Sequence, residues 1–431
     1  MTQVGSPRYN NGACPAKGTK ILNFGIHPPK GEGKPFDLSL QVREISYYED
    51  VMDATVHMTI SIIDVAGRFN KLPVRSGNKV FIEIEGDGKL LRFDDETEPL
   101  YISNILGYAA EAKRETYTLV LETKTAFNNH ITRVFEKYKG KLSSTITKIL
   151  KEKLEVPDDR MSIEETSNDY TFCAGYRRPL HCCTWLSTKA MSSANSDTSG
   201  SAGFLFFQTR EGYILRDVDK LFTEVLEKKD DAVKYVYKMD KTLADANKNT
   251  YTFSNQPIMG NSHDIMDQLR NGQFKTANHY YNIITKKPEF KEYSYEKSVG
   301  KQMTLSAEIE NVPEDFKENY SRMILSPVDY GCLDAKGGTS VNEVSSPYAM
   351  YAQASARFSS LYSQSITITV PLNIDVTAGM ALYLKLPELN KTNTDGPASG
   401  FYLVSHVSHR FGGDGDATGL ILVRDSYIKL S

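Results

Sequence analysis

The side chains that usually do chemistry are present but scattered. His181-Cys182-Cys183 is the densest group of metal-ligating types. A structural zinc site needs pairs such as C-x2-C with a second pair downstream, because four ligands must converge tetrahedrally. No such spacing follows, and neighbours such as Cys182 and Cys183 point about 100° apart on a helix. The group reads as a helix that buries one thiol. Lys30-Gly31-Glu32-Gly33-Lys34-Pro35 has the glycines and lysine of a phosphate loop. It lacks the four-residue spacer and the Ser/Thr after lysine, so a turn is expected. Gly412-Gly413-Asp414-Gly415-Asp416 begins like a calcium loop, but an EF-hand runs to a bidentate Glu at position 12. Here the run passes into Thr418-Gly419-Leu420, as a hairpin connection would. The eight histidines fall singly, with His57 in an alternating strand and His406 and His409 on opposite faces of another. Neither G-x-S-x-G nor H-E-x-x-H occurs. Acidic pairs such as Asp94-Asp95 are too common in any Asp/Glu-rich chain to name a glycosidase. No catalytic, cofactor-binding or metal residue is nominated, no cofactor is expected, and the chain reads as a non-enzyme.

The elements that would hold any site are mostly strands. Residues 1–20 are rich in Gly, Pro, Asn and Lys without periodicity and read as a flexible arm. Phe36–Val42 alternates at period two, as do Val56, Met58, Ile60, Ile62 and then Val80, Ile82, Ile84, which ends at a Gly86-Asp87-Gly88 turn. Tyr101–Ile105 and Thr116–Glu122 follow, so 21–127 reads as an antiparallel barrel or sandwich. The period then changes. Leu142, Ile146, Ile149, Leu150 and Leu154 form a helical stripe that stops before Pro157. A second helix opens at Pro179 with Leu180, Cys183, Leu186 and Ala190 inward. After a polar loop at 192–201, Gly203–Tyr213 reads as strand, turn and return strand, making 128–225 a small α/β module. Strands resume in 226–292, where a short helix, His263–Asn271, carries Ile265, Met266 and Leu269 inward and ends at Gly272. Residues 293–354 are polar and weakly patterned, an extended insertion, and 355–431 is β again. The fold class is mainly β (α+β): β block, α/β insert, β block. Trp185 and Phe204–Phe207 are expected to form the core of the insert.

Composition excludes several classes. With 431 residues, 40% hydrophobic and 24% charged, the chain is ordinary globular material rather than a disordered one. Its net charge of −3 gives no basic excess for phosphate-driven nucleic-acid binding. Five cysteines (Cys14, Cys173, Cys182, Cys183, Cys332) are an odd, scattered set, pointing to a reducing compartment. The first twenty residues lack a signal-peptide apolar region, and no stretch approaches 18 apolar residues, so neither secretion nor membrane insertion is expected. Aromatic usage is unusual: 25 Tyr and 19 Phe against one Trp. Tyr suits strand faces and wet interfaces, so these residues fit a β-rich protein or one with surface committed to partners.

A set of motifs narrows the choice. Gly203–Tyr213 resembles the "G-F-x-F-x-x-T-R-x-G-[FY]" segment of baseplate central hub proteins of contractile-tailed bacteriophages. Tyr176-Arg177-Arg178-Pro179, with Trp185-Leu186 after it, resembles their "R-R-P" entry into a helix ending in "W-L". Gly379-Met380, Ser399-Gly400-Phe401-Tyr402-Leu403-Val404, His406 or His409, and Leu422-Val423-Arg424-Asp425-Ser426 match a further pattern, in the same order. The likeness is patchy over roughly 20–431, strongest at 170–225 and 365–427; the long polar segments at 192–201 and 293–354 depart from the shortest members.

The resemblance implies two related antiparallel β-barrel domains per chain, with the α/β module inserted and loops at the periphery. It implies a homotrimer whose six barrels form a pseudo-hexameric ring, a structure shared with type VI secretion spike proteins. One face would receive a trimeric central spike or spike-lysozyme. The other would meet the tail tube or a tube-initiator protein, with neighbouring baseplate proteins around it. DNA would pass through the channel without sequence-specific binding, past a near-neutral or acidic lumen. The implied location is the virion tail baseplate, assembled in the host cytoplasm. The residues alone leave open a carbohydrate-binding or polysaccharide-degrading β protein, or another tail-tube structural protein.

Overall fold

Alternating patterns become strands because each pleat buries one side chain in two. The computed structural model describes residues 2–3, 19–27, 35–65, 67, 74–86, 89–192, 203–227, 232–237, 250–262, 264–282, 286–295, 297, 305, 313–328, 347–388, 391–396, 398–412 and 415–426. The first β unit consists of β1 (Lys20–Ile26), β2 (Val42–Asp50), β3 (His57–Asp64), β4 (Lys79–Gly86), β5 (Leu100–Glu111) and β6 (Arg114–Thr123). In β3 the buried set includes Met58, Ile60 and Ile62. They meet Phe24, Ile82, Ile84, Leu119 and Leu121 in one apolar core.

The α/β insert follows through α1 (Lys124–Ile131), α2 (Leu142–Leu154), α3 (Pro179–Ser187), β7 (Phe204–Thr209), β8 (Gly212–Asp217) and α4 (Val218–Glu227). The α2 stripe packs on Leu180, Cys182, Cys183 and Leu186 of α3 and on Phe204 and Phe206 of β7. Every residue of β7 is buried, since the strand lies between two cores. Phe204 and Phe206 face the insert, as expected, whereas Leu205 and Phe207 join Val218, Phe222, Leu361, Leu403 and Val423 against the second β unit.

The second unit contains β9 (Val233–Tyr237), β10 (Thr250–Phe253) and β11 (Ile258–Ser262). Between β11 and the rest stand α5 (Ile265–Asn271), a separate sheet of β12 (Lys275–Asn282), β13 (Lys287–Ser294) and β14 (Arg322–Val328), and α6 (Pro347–Leu361). Then come β15 (Gln364–Pro371), β16 (Ala381–Lys385), β17 (Gly400–Gly412) and β18 (Ala417–Arg424). Ile366, Ile368, Val370, Leu384, Tyr402, Val404, Leu420 and Leu422 make its core.

The two units share a topology. The first has sheet order β1-β4-β5-β6-β3-β2, the second β9-β16-β17-β18-β15-β11. Counted along the chain over these six strands, with β10 set aside as an addition beyond β9, both are first-fourth-fifth-sixth-third-second. The ladders agree in sense except at the start, where β1 is antiparallel to β4 but β9 is parallel to β16. One irregularity coincides: β5 breaks register between Ile102 and Asn104, and β17 between Val404 and His406, although β5 breaks again between Leu106 and Ala109 where β17 runs on. The fold is mainly β with two related antiparallel units. Among the described residues no ladder closes either unit on itself. Instead β2 pairs with β17, from Glu44↔Gly412 to Asp50↔His406, and the units share one sheet.

Some expectations change. The short helix begins at Ile265 behind an Asp264 cap, and it buries Gln268 while Met266 is exposed. Both Cys182 and Cys183 are buried, because the helix is packed on two sides. In 293–354 the described residues are not simply extended and polar. They include β14 and part of α6, and β14 leaves Met323 and Leu325 exposed at a sheet edge. The expected turn at Lys30–Pro35 and the loop at 192–201 fall almost wholly outside the described residues, as does most of the N-terminal arm.

Candidate assembly site

The site with the most functional content is where the two β units and the insert meet. Glu49, on β2, is 1% exposed. Its Oε1 accepts from Tyr47 Oη at 2.8 Å and from the Arg210 backbone N–H at 2.8 Å. Its Oε2 accepts from the Ala378 N–H at 2.8 Å. One carboxylate thus ties the first unit to the insert and to the second unit. Burial raises its pKa above the ordinary carboxylate value, against the pull of these three donors.

Arg210 completes the joint. Its Nη1 donates to Ile374 O at 2.5 Å, and its own carbonyl accepts from Arg160 Nη2 at 3.0 Å. Next to it Gln208 donates to Glu98 Oε2 at 2.7 Å and accepts from Val56 N–H at 3.2 Å. Glu98 also accepts from Thr125 Oγ1 at 2.6 Å. The turn that presents Arg210 needs Gly212: its φ is +132°, and a Cβ there would stand 2.2 Å from Arg160 O. Across the β2–β17 ladder His409 lies opposite Tyr47, with its ring stacked at 6.2 Å. It is 1% exposed, with its nitrogens paired to Thr418 Oγ1 at 3.0 Å and Val376 O at 3.1 Å. Burial, helped by Arg210, pushes its pKa down to about 3.

A second clamp holds the insert to the C-terminal strands. Arg357 of α6, 3% exposed, donates to Asp219 at 2.6 Å and Asp425 at 2.7 Å. Burial opposes its charge, but these two carboxylates hold its pKa above the usual arginine value. Arg424 is fully buried, donates to Ser399 O at 2.7 Å and to Gln364 Oε1, and lies over the Tyr402 ring at 4.6 Å. Gly379, φ +83°, would place a Cβ 2.7 Å from the Phe207 ring.

The motif residues therefore sit at joints between units. The sequence's other chemistry-bearing residues, where they are described, are engaged within the fold. Cys182 and Cys183 are buried thiols, and desolvation pushes Cys182 up to about 11. Asp416 is used within the fold, accepting from Gly412 N–H at 2.8 Å and Thr19 Oγ1 at 2.5 Å. His57 pairs with Asp53 at 3.0 Å. Trp185 is half-buried against Tyr170 and Phe172, with Arg177 over its ring at 4.0 Å. Among the described residues no group of three or more His, Cys, Asp and Glu is placed to hold a metal ion. Nor is any helix there long and apolar enough to cross a membrane.

Glu49 and the Arg357 clamp escaped the sequence reading, as did two open edges. Beyond its short contact with β4 at Leu100 and Tyr101, β5 has no partner on that side among the described residues, and Leu106 and Tyr108 are exposed. The outer side of β11 is likewise unpaired there, with Ile258 and Met259 exposed.

No protein-family model and no curated protein matches the sequence. Two solved structures do align over nearly the whole chain. One is a tail protein from Neisseria meningitidis MC58 (TM-score 0.53, 10% identity, 94% of this chain and 96% of that one). The other is a prophage MuSo2 43 kDa tail protein from Shewanella oneidensis (TM-score 0.54, 9% identity, 94% and 98%). The chain has a phage tail-protein fold. The match covers 94% of this chain in both cases, so the shared fold extends beyond any one of its units.

Proposed function

We propose that the protein is a structural hub of a phage tail baseplate. Three chains form a ring of six β units that adapts a trimeric central spike to a hexameric tail tube. The observation that carries this reading is the duplicated strand order within one continuous sheet. A chain that presents two nearly equivalent units side by side looks threefold to one partner and sixfold to another, as joining those symmetries requires. The likeness to tail proteins supports the same reading. The domain bounds are taken as 21–127 for the first β unit, 128–225 for the insert and 226–292 with 355–431 for the second, which also carries the separate sheet of β12 and β13 that continues through β14 into the peripheral insertion at 293–354. The role is mechanical rather than enzymatic: the Glu49 and Arg357 joints make each protomer rigid enough to pass contraction force to the spike. The ring leaves a channel through which DNA passes without sequence-specific contact.

Light scattering and negative-stain electron microscopy of the purified chain test this. A three-fold ring with an open centre and three times 48.3 kDa is the expected result. A compact monomer that stays monomeric with its spike co-expressed would overturn it. A strongly basic lumen would overturn the free passage of DNA.

A further inference from the structure

The ladder between β2 and β17 is made inside one chain, and its two halves recur at other strand edges of the protomer, without a strand partner there among the described residues. The long strand of each unit changes partner midway. In β17 residues 400–403 pair with β16, and residues 406–412 then pair with β2. In β5 residues Leu100 and Tyr101 pair with β4, and beyond them the side of the strand away from β6 has no strand partner among the described residues. The matching register breaks, Ile102/Asn104 and Val404/His406, set residues 104–106 of β5 against 406–408 of β17; a second break in β5 then sets Gly107 and Tyr108 together against His409, and Ala109 against Arg410. On the other side β11 takes the place of β2. Met58 pairs with Tyr47 and Thr59 with Ser46, while Ile366 pairs with Met259 and Thr367 with Ile258.

We infer that neighbouring protomers join by repeating the internal ladder, with β11 of one copy pairing antiparallel to residues 104–110 of β5 in the next. This rests on the ring reading above and names its interface. The register follows from the internal pairs His409↔Tyr47 and Arg410↔Ser46. Their counterparts place Met259 opposite the Gly107–Tyr108 bulge of the next copy, and Ile258 opposite Ala109 of the next copy. The side chains fit an intermolecular contact. Ile258 is 65%, Met259 46% and Leu106 48% exposed, apolar groups along the two strand edges, and Tyr108, 45% exposed, turns its hydroxyl to Glu115 at 3.3 Å. Gly107 has φ +62° and open space where a Cβ would be, leaving room for the methionine. An unpaired edge with apolar flanks is a template for another strand. The contact is head-to-tail, so each chain uses one edge of each kind, and repetition closes a ring when the rotation per unit allows it.

The test is a full-length I258C/A109C double variant, with Cys173→Ser to remove the exposed thiol among the described residues and Cys14→Ser and Cys332→Ser beside it. Copper-phenanthroline oxidation and a non-reducing denaturing gel read out cross-links. Covalent dimers and trimers are expected from the double variant and none from either single variant. Separately, Met259→Lys places a charge in the edge and is expected to lower the assembled fraction about tenfold by light scattering. Wild-type trimers without the cross-link, and unmoved by Met259→Lys, would overturn this pairing while leaving the ring reading standing. A wild-type chain that never assembles, alone or with its spike, would overturn both.

Discussion

The β2–β17 junction and the open edges of β5 and β11 are the same feature of the fold in two states of completion. At the junction the ladder is closed and dry: Glu49, Tyr47, Arg210 and His409 all find partners inside it. At the edges the positions equivalent to Tyr47 and His409 hold Met259 and the Gly107–Tyr108 pair, and those equivalent to Ser46 and Arg410 hold Ile258 and Ala109, none of them charged. A joint made once, during folding, tolerates buried polar groups because their partners are tethered nearby. An edge that waits in water for a second copy does better with apolar groups, which cost little to leave wet and gain on burial.

The largest effect should come from the junction carboxylate. Glu49→Ala leaves the Arg210 and Ala378 N–H groups and the Tyr47 hydroxyl without their acceptor in a buried site. The expected cost is about 3–4 kcal/mol in urea unfolding. Glu49→Gln keeps one oxygen at Oε1 and should recover more than half of it. Equal losses in the two variants would mean the charge, rather than the acceptor geometry, holds the units together.

Acid should weaken the same place. His409 is held neutral, with a folded pKa of about 3. The unfolded histidine takes up its proton near 6.5, so the stability that His409 contributes is complete above that value. It is lost as pH falls through the window from 6.5 towards 3. At pH 4.5 the loss is about 3 kcal/mol. Unfolding curves at pH 7 and 4.5 should show that difference in the wild type, and His409→Asn should remove most of it. A wild type that titrates no more than the variant would sink the assignment. The proposed contact between copies, with the Gly107–Tyr108 pair at the equivalent position, has no such titration.

How much of this was legible follows from sequence distance. Met58, Ile60 and Ile62 announce their strand by period alone, and so do Ile366, Ile368 and Val370, because a pleat needs only neighbours. The motif order placed Arg210, Gly379 and Arg424 before their roles were visible. Glu49 was not legible: its partners Arg210 and Ala378 lie 161 and 329 residues away, and it is one of 54 acidic residues. Arg357, reaching Asp219 across 138 residues, was hidden in the same way. Tyr108 and Leu106 gave a weak signal, an apolar run continuing past the half-buried strand at Tyr101–Ile105. The duplicated strand order could not be read, because the two units share position and sense rather than residues.

The insert sets a middle scale. Trp185→Ala removes a half-buried ring from between Tyr170, Phe172 and Arg177, and should cost about 2 kcal/mol. The melting temperature of the full chain reads this. An unchanged melting temperature with lost assembly would reassign the tryptophan to an interface.

The smallest effect is the sharpest separation of the two states. Leu106→Ala removes as many carbon atoms as many core truncations, yet Leu106 is 48% exposed in the single chain. Its cost to the folded protomer should stay within about 0.5 kcal/mol, whereas truncating Ile60 in the core to alanine costs about 2–5 kcal/mol. In an assembled ring the same leucine is buried against β11 of the next copy, so its loss reappears as a dependence on protein concentration. Melting temperatures of wild type and Leu106→Ala should therefore coincide at high dilution and diverge as concentration rises. Curves that stay parallel at every concentration would place this strand edge outside the contact.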